Sequence, residues 1–202
     1  MSPTDEPDRL AVLEAVARAR RSSLLVDRER PVPVDLLDRL VAMAATAPNH
    51  RRTFPWRFRV FTGAARAELG EALAADLAEW GDPAAKIDKA RGKYLRAPAV
   101  VLVASRAGTS PTMTEENRDA VSAAIQTLLL GATAAGLASY WSTGAAVDSP
   151  RIAALAGLDE TDRVIGLVYL GWPVDEPAPI DRPAPEVVVL SDRTNEVPCD
   201  GQ

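Results

Sequence analysis

Three short stretches of this chain carry side chains whose types and spacing can do chemistry. Arg20-Arg21-Ser22 sets two guanidiniums and a hydroxyl on consecutive residues, a donor set that can take a phosphate through charge-assisted, bidentate hydrogen bonds. Ala47-Pro48-Asn49-His50-Arg51-Arg52-Thr53-Phe54-Pro55-Trp56 runs from a proline-broken helix end through a polar loop into an aromatic segment. Loops fixed by scaffold on both sides commonly carry function. Tyr140-Trp141-Ser142-Thr143-Gly144 follows an indole with two hydroxyls and a glycine, which can line a planar ligand and let the backbone approach it. Each stretch also has a plainer reading: a solvated basic helix end, an exposed loop histidine, a strand end with a turn glycine. Spacing alone leaves both open.

Other chemistries lack their residues. The chain has no glycine-rich phosphate loop ending in Lys-Ser or Lys-Thr and no Gly-x-Gly-x-x-Gly fingerprint. Gly-x-Ser-x-Gly, His-Glu-x-x-His and paired Cys-x-x-Cys are equally missing. One cysteine, Cys199, and one histidine, His50, rule out an internal disulfide and a histidine-rich metal centre. Hydrolase and metalloenzyme readings therefore start weak, and no metal is expected.

The frame around these clusters is that of an ordinary globular chain. Its 202 residues are 47% hydrophobic and 25% charged, and a chain of this length buries roughly 70% of its unfolded surface. The sum of 23 Lys+Arg against 28 Asp+Glu is −5, which argues against a nucleic-acid module, since that needs a basic face. No run reaches the 18 or so apolar residues of a membrane span; the longest apolar neighbourhood, Ala120 to Leu137, is broken by Ser122, Gln126 and Thr127. The polar, acidic start Met1-Ser2-Pro3-Thr4-Asp5-Glu6 is unlike a secretory signal. A cytoplasmic protein is expected, with no nucleic-acid or membrane partner.

Periodicity supplies the elements that must position the clusters. Leu10, Leu13, Val16 and Ala17 fall at helical spacing within Asp8 to Arg20, and Leu36, Leu37, Leu40, Val41 and Ala44 form a stripe on a second helix after Pro33. That helix should stop before Pro48. Trp56 to Thr62 alternates large apolar groups with arginines, the signature of a half-buried strand. Ala64 to Trp80 and Ala84 to Tyr94 read as helices. Pro98 to Ala104 is continuously apolar and reads as a central strand covered on both faces. A long buried helix is expected over Glu115 to Leu137, then a strand over Ser139 to Ala145, a short helix over Pro150 to Ala156 and a strand over Val164 to Leu170. With two helices ahead of any strand and no regular βαβ alternation, an α+β layer protein fits best.

The last 29 residues, Val174 to Gln202, change character. Prolines crowd positions 177 to 185 before the β-branched burst Glu186-Val187-Val188-Val189-Leu190. Such a tail can add a strand to another subunit's sheet edge, or it can form a local edge strand of its own chain. The two readings weigh about equally.

In their joint order and spacing the clusters resemble the nitroreductase family of flavoproteins, most closely its compact, YdjA-type bacterial branch. The similarity spans Leu13 to Pro173. It includes Arg20-Arg21-Ser22, Ala47-Pro48-Asn49-His50, Pro55-Trp56-Arg57-Phe58-Arg59-Val60 and Lys86-Ile87-Asp88-Lys89-Ala90-Arg91. It continues through Arg96-Ala97-Pro98, Ala135-Gly136-Leu137, Trp141-Ser142-Thr143-Gly144 and Gly166 to Pro173. No single motif is decisive; the order is specific.

The resemblance implies a three-layer α+β fold, a central, mostly antiparallel sheet flanked by helices, and an intertwined homodimer with FMN at the subunit interface. It implies one flavin-binding domain, residues 1–173, and a proline-rich extension, residues 174–202. Arg20, Arg21 and Ser22 match the family's contacts to the FMN phosphate and ribityl chain. Thr46 and His50 match positions that reach the other subunit's flavin, and Trp141, Ser142 and Thr143 match a segment lying against it. No side chain is expected to be a catalytic nucleophile. The implied activity is an FMN-dependent NAD(P)H oxidoreductase passing hydride, by a ping-pong cycle, to small acceptors such as nitroaromatics or quinones. The alternative is a non-catalytic protein that binds or stores FMN. Phe54 departs from the family pattern, in which an amide commonly precedes Pro-Trp.

Overall fold

The computed structural model describes residues 8–175, 178 and 180–189. Among these residues, six α-helices and four strands occur in the order α1 (Arg9–Ala19), α2 (Val34–Ala44), β1 (Trp56–Thr62), α3 (Ala65–Glu79), α4 (Ala84–Arg91), β2 (Ala99–Ser105), α5 (Pro111–Ala134), β3 (Ala138–Ser142), α6 (Pro150–Leu155) and β4 (Arg163–Gly171). The strands form one antiparallel sheet in the order β1-β2-β4-β3. Every residue of β2 is buried, as its unbroken apolar sequence requires of a strand covered on both faces.

Alternation along the strands divides the core into two layers. Val100, Leu102 and Ala104 of β2 pack with Leu69, Leu73 and Leu77 of α3, Ala90 of α4 and Ile152 of α6. Val101 and Val103 face the other way, onto Leu37 and Leu40 of α2 and Val121, Ile125 and Leu128 of α5. Gly70 lets α3 and α4 approach closely: a Cβ there would lie 3.1 Å from the Ala90 carbonyl oxygen and closer still to that of Arg91.

Several boundaries differ from the sequence reading, each for a local reason. α5 begins at Pro111, four residues earlier than expected, because Ser110 caps it by accepting from Met113 N at 3.2 Å and proline suits the first turn. α4 ends at Arg91, and Gly92 leads into a 3₁₀ turn over Lys93–Arg96. β3 stops at Ser142, and a second 3₁₀ turn over Ala145–Asp148 follows.

α1 departs most. It forms where its periodicity places it, with Asp8 accepting from Leu10 N and Ala11 N, yet it buries no residue. Leu10 is 64% exposed and Leu13 54%. The described residues leave Leu10 and Leu13 of its apolar stripe uncovered.

The chain after α1 runs extended along the sheet. Ser22 bridges Ser139 in parallel, Ser23 N donates to Ser139 O at 2.9 Å, and Val26 bridges Pro173. In the tail, Glu186 to Val189 pair with no described strand and Val189 is 83% exposed. Leu190 and the residues after it, Cys199 among them, lie outside the described residues.

Candidate functional site

The hydrogen bonds between Ser22–Ser23 and Ser139 bring two of the three clusters side by side. Arg20-Arg21-Ser22 lies at the end of α1, against the start of β3, and Trp141-Ser142-Thr143 ends the same strand. The last carbonyls of a helix attract cations. Here Arg21 Nη1 donates to the carbonyls of Arg18 and Arg20, the latter at 2.9 Å, and its Nε to Ala178 O at 3.4 Å.

A residue that sequence reasoning passed over joins them. Arg182 of the tail donates from Nη1 to Arg18 O at 3.2 Å and from Nη2 to Arg20 O at 3.0 Å. A groove of about 430 Å³ is lined by Glu14, Ala17, Arg18, Arg20, Gln126 and Arg182. Three guanidiniums against one carboxylate give it a net positive lining, the donor set that an anion takes. Its signal in the sequence was a single arginine among prolines, which no periodicity marks out.

Trp141 and Ser142 alternate across the sheet, so their side chains leave opposite faces. Trp141 packs against the α2–α5 layer. Its indole fits only because position 166 is glycine: a Cβ there would lie 2.7 Å from Trp141 Cδ1 and closer to Nε1. The indole N–H and the Ser139 hydroxyl are buried without a hydrogen-bond partner among the described residues. Thr143 and Gly144 are exposed beyond the strand end, where their backbone is open to a ligand.

Lys93 comes to the same turn from the 3₁₀ segment after α4: a Cβ at Gly144 would lie 3.7 Å from its Nζ. Burial, and then the neighbouring Arg96, pushes the Lys93 ammonium below the usual lysine range. Beside it Tyr94 and Tyr169 stack at 5.9 Å, and burial pushes both phenols up.

The Thr46 and His50 cluster lies elsewhere. Thr46 donates its hydroxyl to Met43 O at 2.8 Å, closing the end of α2. His50 is exposed, accepts from Arg51 Nε at 3.2 Å and lines a shallow groove with Pro48, Asn49, Glu116 and Asp119. No described hydrogen bond or shared cleft joins either residue to Arg20 or Trp141. The strands that anchor the two sets, β1 and β3, are opposite sheet edges, three inter-strand spacings or about 14 Å apart.

The loop after His50 is held in an unusual shape. Arg51, Arg52 and Phe54 have φ of 56°, 53° and 46°, conformations that non-glycine residues adopt only when their surroundings impose them. Asn49 Oδ1 accepts from Phe54 N at 2.8 Å, and Asn49 Nδ2 donates to Thr53 Oγ1 at 3.0 Å. Thr53 Oγ1 in turn donates to the buried Asn117 Oδ1 at 2.6 Å, and Asn117 Nδ2 donates to Arg106 O at 3.2 Å. This network ties the loop to α5. Asn117 sits on the helix as one polar residue among many and could not be singled out from the sequence.

A central antiparallel sheet between two helical layers, with an arginine-lined groove and an exposed turn beside its edge strand β3, defines an α+β protein. The chain belongs to the nitroreductase family, whose model matches residues 17–172. The Escherichia coli (strain K12) protein "Putative NAD(P)H nitroreductase YdjA" is 28% identical over 163 residues, which cover 80% of this chain and 87% of that one. The crystal structure of a nitroreductase-like family protein from Bacillus cereus superposes with a TM-score of 0.73 at 25% identity, covering 93% of this chain and 98% of that one. A nitroreductase with bound FMN from Bacteroides fragilis shares the fold, with a TM-score of 0.67 at 24% identity over 90% of this chain and 98% of that one. No helix among the described residues is long and apolar enough to cross a membrane.

Proposed function

We propose that this chain is an FMN-dependent oxidoreductase that draws electrons from NADH or NADPH and passes them to small acceptors such as nitroaromatics or quinones. The observation that carries the proposal is the convergence of Arg18, Arg20 and Arg182 on one groove at the end of α1, where the chain pairs with Ser139 at the start of β3. Family membership points the same way, through relatives named as NAD(P)H nitroreductases and a family structure with bound FMN. The residues fit the cofactor: guanidiniums suit its phosphate, and the open turn and the Lys93 ammonium beside Gly144 suit a planar, polar ring system.

When bound, FMN supplies the redox chemistry, accepting a hydride from the nicotinamide and passing electrons to the acceptor. The protein's part is to hold and orient. Arg20, Arg21 and Arg182 bind the phosphate, and Ser22 donates to the neighbouring chain of the cofactor. Ser142, Thr143 and the Gly144 backbone set the ring position, while Lys93 adds positive charge at that turn. Trp141, locked against Gly166, keeps the turn in place.

The site is completed by a second copy of the chain, whose Thr46 and His50 cover the other side of the ring. Two observations support a homodimer: the uncovered Leu10 and Leu13 face of α1, and the separation of the Thr46–His50 cluster from the Arg20–Trp141 cluster within one chain. The tail carrying Val187 to Val189, which pairs with no described strand of its own chain, adds a strand to the partner. Titration of the apo-protein with FMN, followed by anaerobic addition of NADPH or NADH, tests the reading. Bound flavin that neither nucleotide reduces would leave a storage protein instead.

A further inference from the structure

A cleft of about 480 Å³ opens between α3 and α4, and it shares no residue with the arginine groove. Leu73, Leu77 and Ala90 give it an apolar floor. Its rim holds Lys86, Lys89, Lys93 and Arg96 against one carboxylate, Asp88. With Lys86 paired to Asp82, the rim keeps a local excess of two positive charges on a chain whose sum is −5.

The neighbouring charges on these helices are matched: Lys86 pairs with Asp82 at 2.8 Å, Arg91 with Glu71, and Arg151 with Asp76 and Glu79. Lys89, Lys93 and Arg96 have no carboxylate partner among the described residues. Arg96 is held in place by donating from Nε to Lys93 O at 2.9 Å and by resting 5.4 Å from the Tyr169 ring centroid. Lys93 is partly desolvated beside it. Lys89 is exposed, but Lys93 and Arg96 are half-buried neighbours of like charge, an arrangement that an entering counter-charge would relieve.

We infer that this cleft is a second ligand site, for an organic anion: an aryl or alkyl carboxylate whose charged end meets Lys89 and Arg96 and whose apolar body lies on Leu73, Leu77 and Ala90. The size of the cleft suits a small molecule. The inference goes beyond the flavin reading; the cleft shares no residue with the phosphate groove and meets the proposed ring site at Lys93 and Ala145, beside the Gly144 turn.

The test is calorimetric titration of the purified protein, saturated with FMN, with 4-phenylbutyrate and with the uncharged 4-phenylbutan-1-ol. The carboxylate should bind at least about ten-fold more tightly than the alcohol, as one charged hydrogen bond implies. Lys89→Ala should remove most of that difference and Lys89→Glu all of it, with FMN affinity unchanged in both. Equal binding of acid and alcohol, or a carboxylate affinity indifferent to Lys89, would overturn the inference. Displacement of FMN by phenylbutyrate would also overturn it, by making the cleft part of the flavin site. A protein that takes up no FMN but still binds the acid through Lys89 would fail the flavin reading and leave this one standing.

Discussion

The Arg182 guanidinium donates to the backbone carbonyls of both Arg18 and Arg20, at 3.2 Å and 3.0 Å. The tail is thereby tied to the end of α1 by residues of the proposed phosphate groove. Order in the tail and occupancy of that groove should rise together.

Arg20→Ala and Arg182→Ala should each weaken FMN binding about ten- to a hundred-fold, the usual effect of losing a charged hydrogen bond. Arg21→Ala should weaken it too and also lower thermal stability, because Arg21 bonds the carbonyls of Arg18, Arg20 and Ala178. Fluorescence titration of each apo-variant, alongside a melting curve, checks both effects. Wild-type affinity in Arg20→Ala would remove that residue from the site.

Gly166→Ala should destabilise the protein by about 1–3 kcal/mol, the cost of overpacking a filled site. The new methyl would collide with the Trp141 indole, 2.7 Å from Cδ1. Because that indole holds the strand end, FMN affinity should fall with stability. A smaller side chain at position 141 should restore part of the lost stability in the double variant, which a shift in melting temperature would show.

Secondary structure was largely legible from letter patterns because it depends on local periodicity. The all-apolar run of β2 and the alternation of β1 each announced how many faces were covered. Boundaries erred where a single cap decided them, as at Ser110 and Gly92. The site was legible only in part. Arg20, Ser22 and Trp141 stood in recognisable motifs, but Arg182, Lys93 and Asn117 enter through chain crossings that no local pattern encodes. The strand expected over Ser139 to Ala145 already carried the alternation of Trp141 and Ser142, and the structure ends it at Ser142.

Asp76 should make stability fall in acid. Burial alone would push its pKa up, but hydrogen bonds from Ser149 and from the Arg151 side chain and backbone outweigh that and hold the carboxyl below its ordinary value. The folded pKa lies below the unfolded one. This contribution is therefore fully present above the unfolded carboxylate range, near pH 4, and is lost as pH falls through the lower folded value. Asp76→Ala should cost about 1–3 kcal/mol at neutral pH by leaving the Ser149 hydroxyl and the Arg151 N–H without their acceptor. It should also flatten the acid limb of a denaturation series measured against pH.

Asn117→Ala should release the loop of Asn49 to Phe54. It removes the acceptor of Thr53 and the donor to Arg106, and the positive-φ residues would relax once unsupported. Faster hydrogen exchange at Phe54 N, with little change at the buried β2 amides, is the expected signature. Flavin affinity should fall as well if His50 reaches the cofactor of the partner.

A chain ending at Pro185 would keep Arg182 and lose Glu186 to Gln202, the β-branched run 186–190 among them. It should bind FMN as the full chain does and dimerise more weakly in analytical ultracentrifugation. An unchanged dimer constant would remove the tail from the interface.

The most direct measurement is the visible spectrum of the purified protein, recorded without oxygen before and after NADPH and then NADH. A flavin spectrum that bleaches on adding either nucleotide is the predicted result. A colourless protein that also takes up no added FMN would contradict the account at its centre.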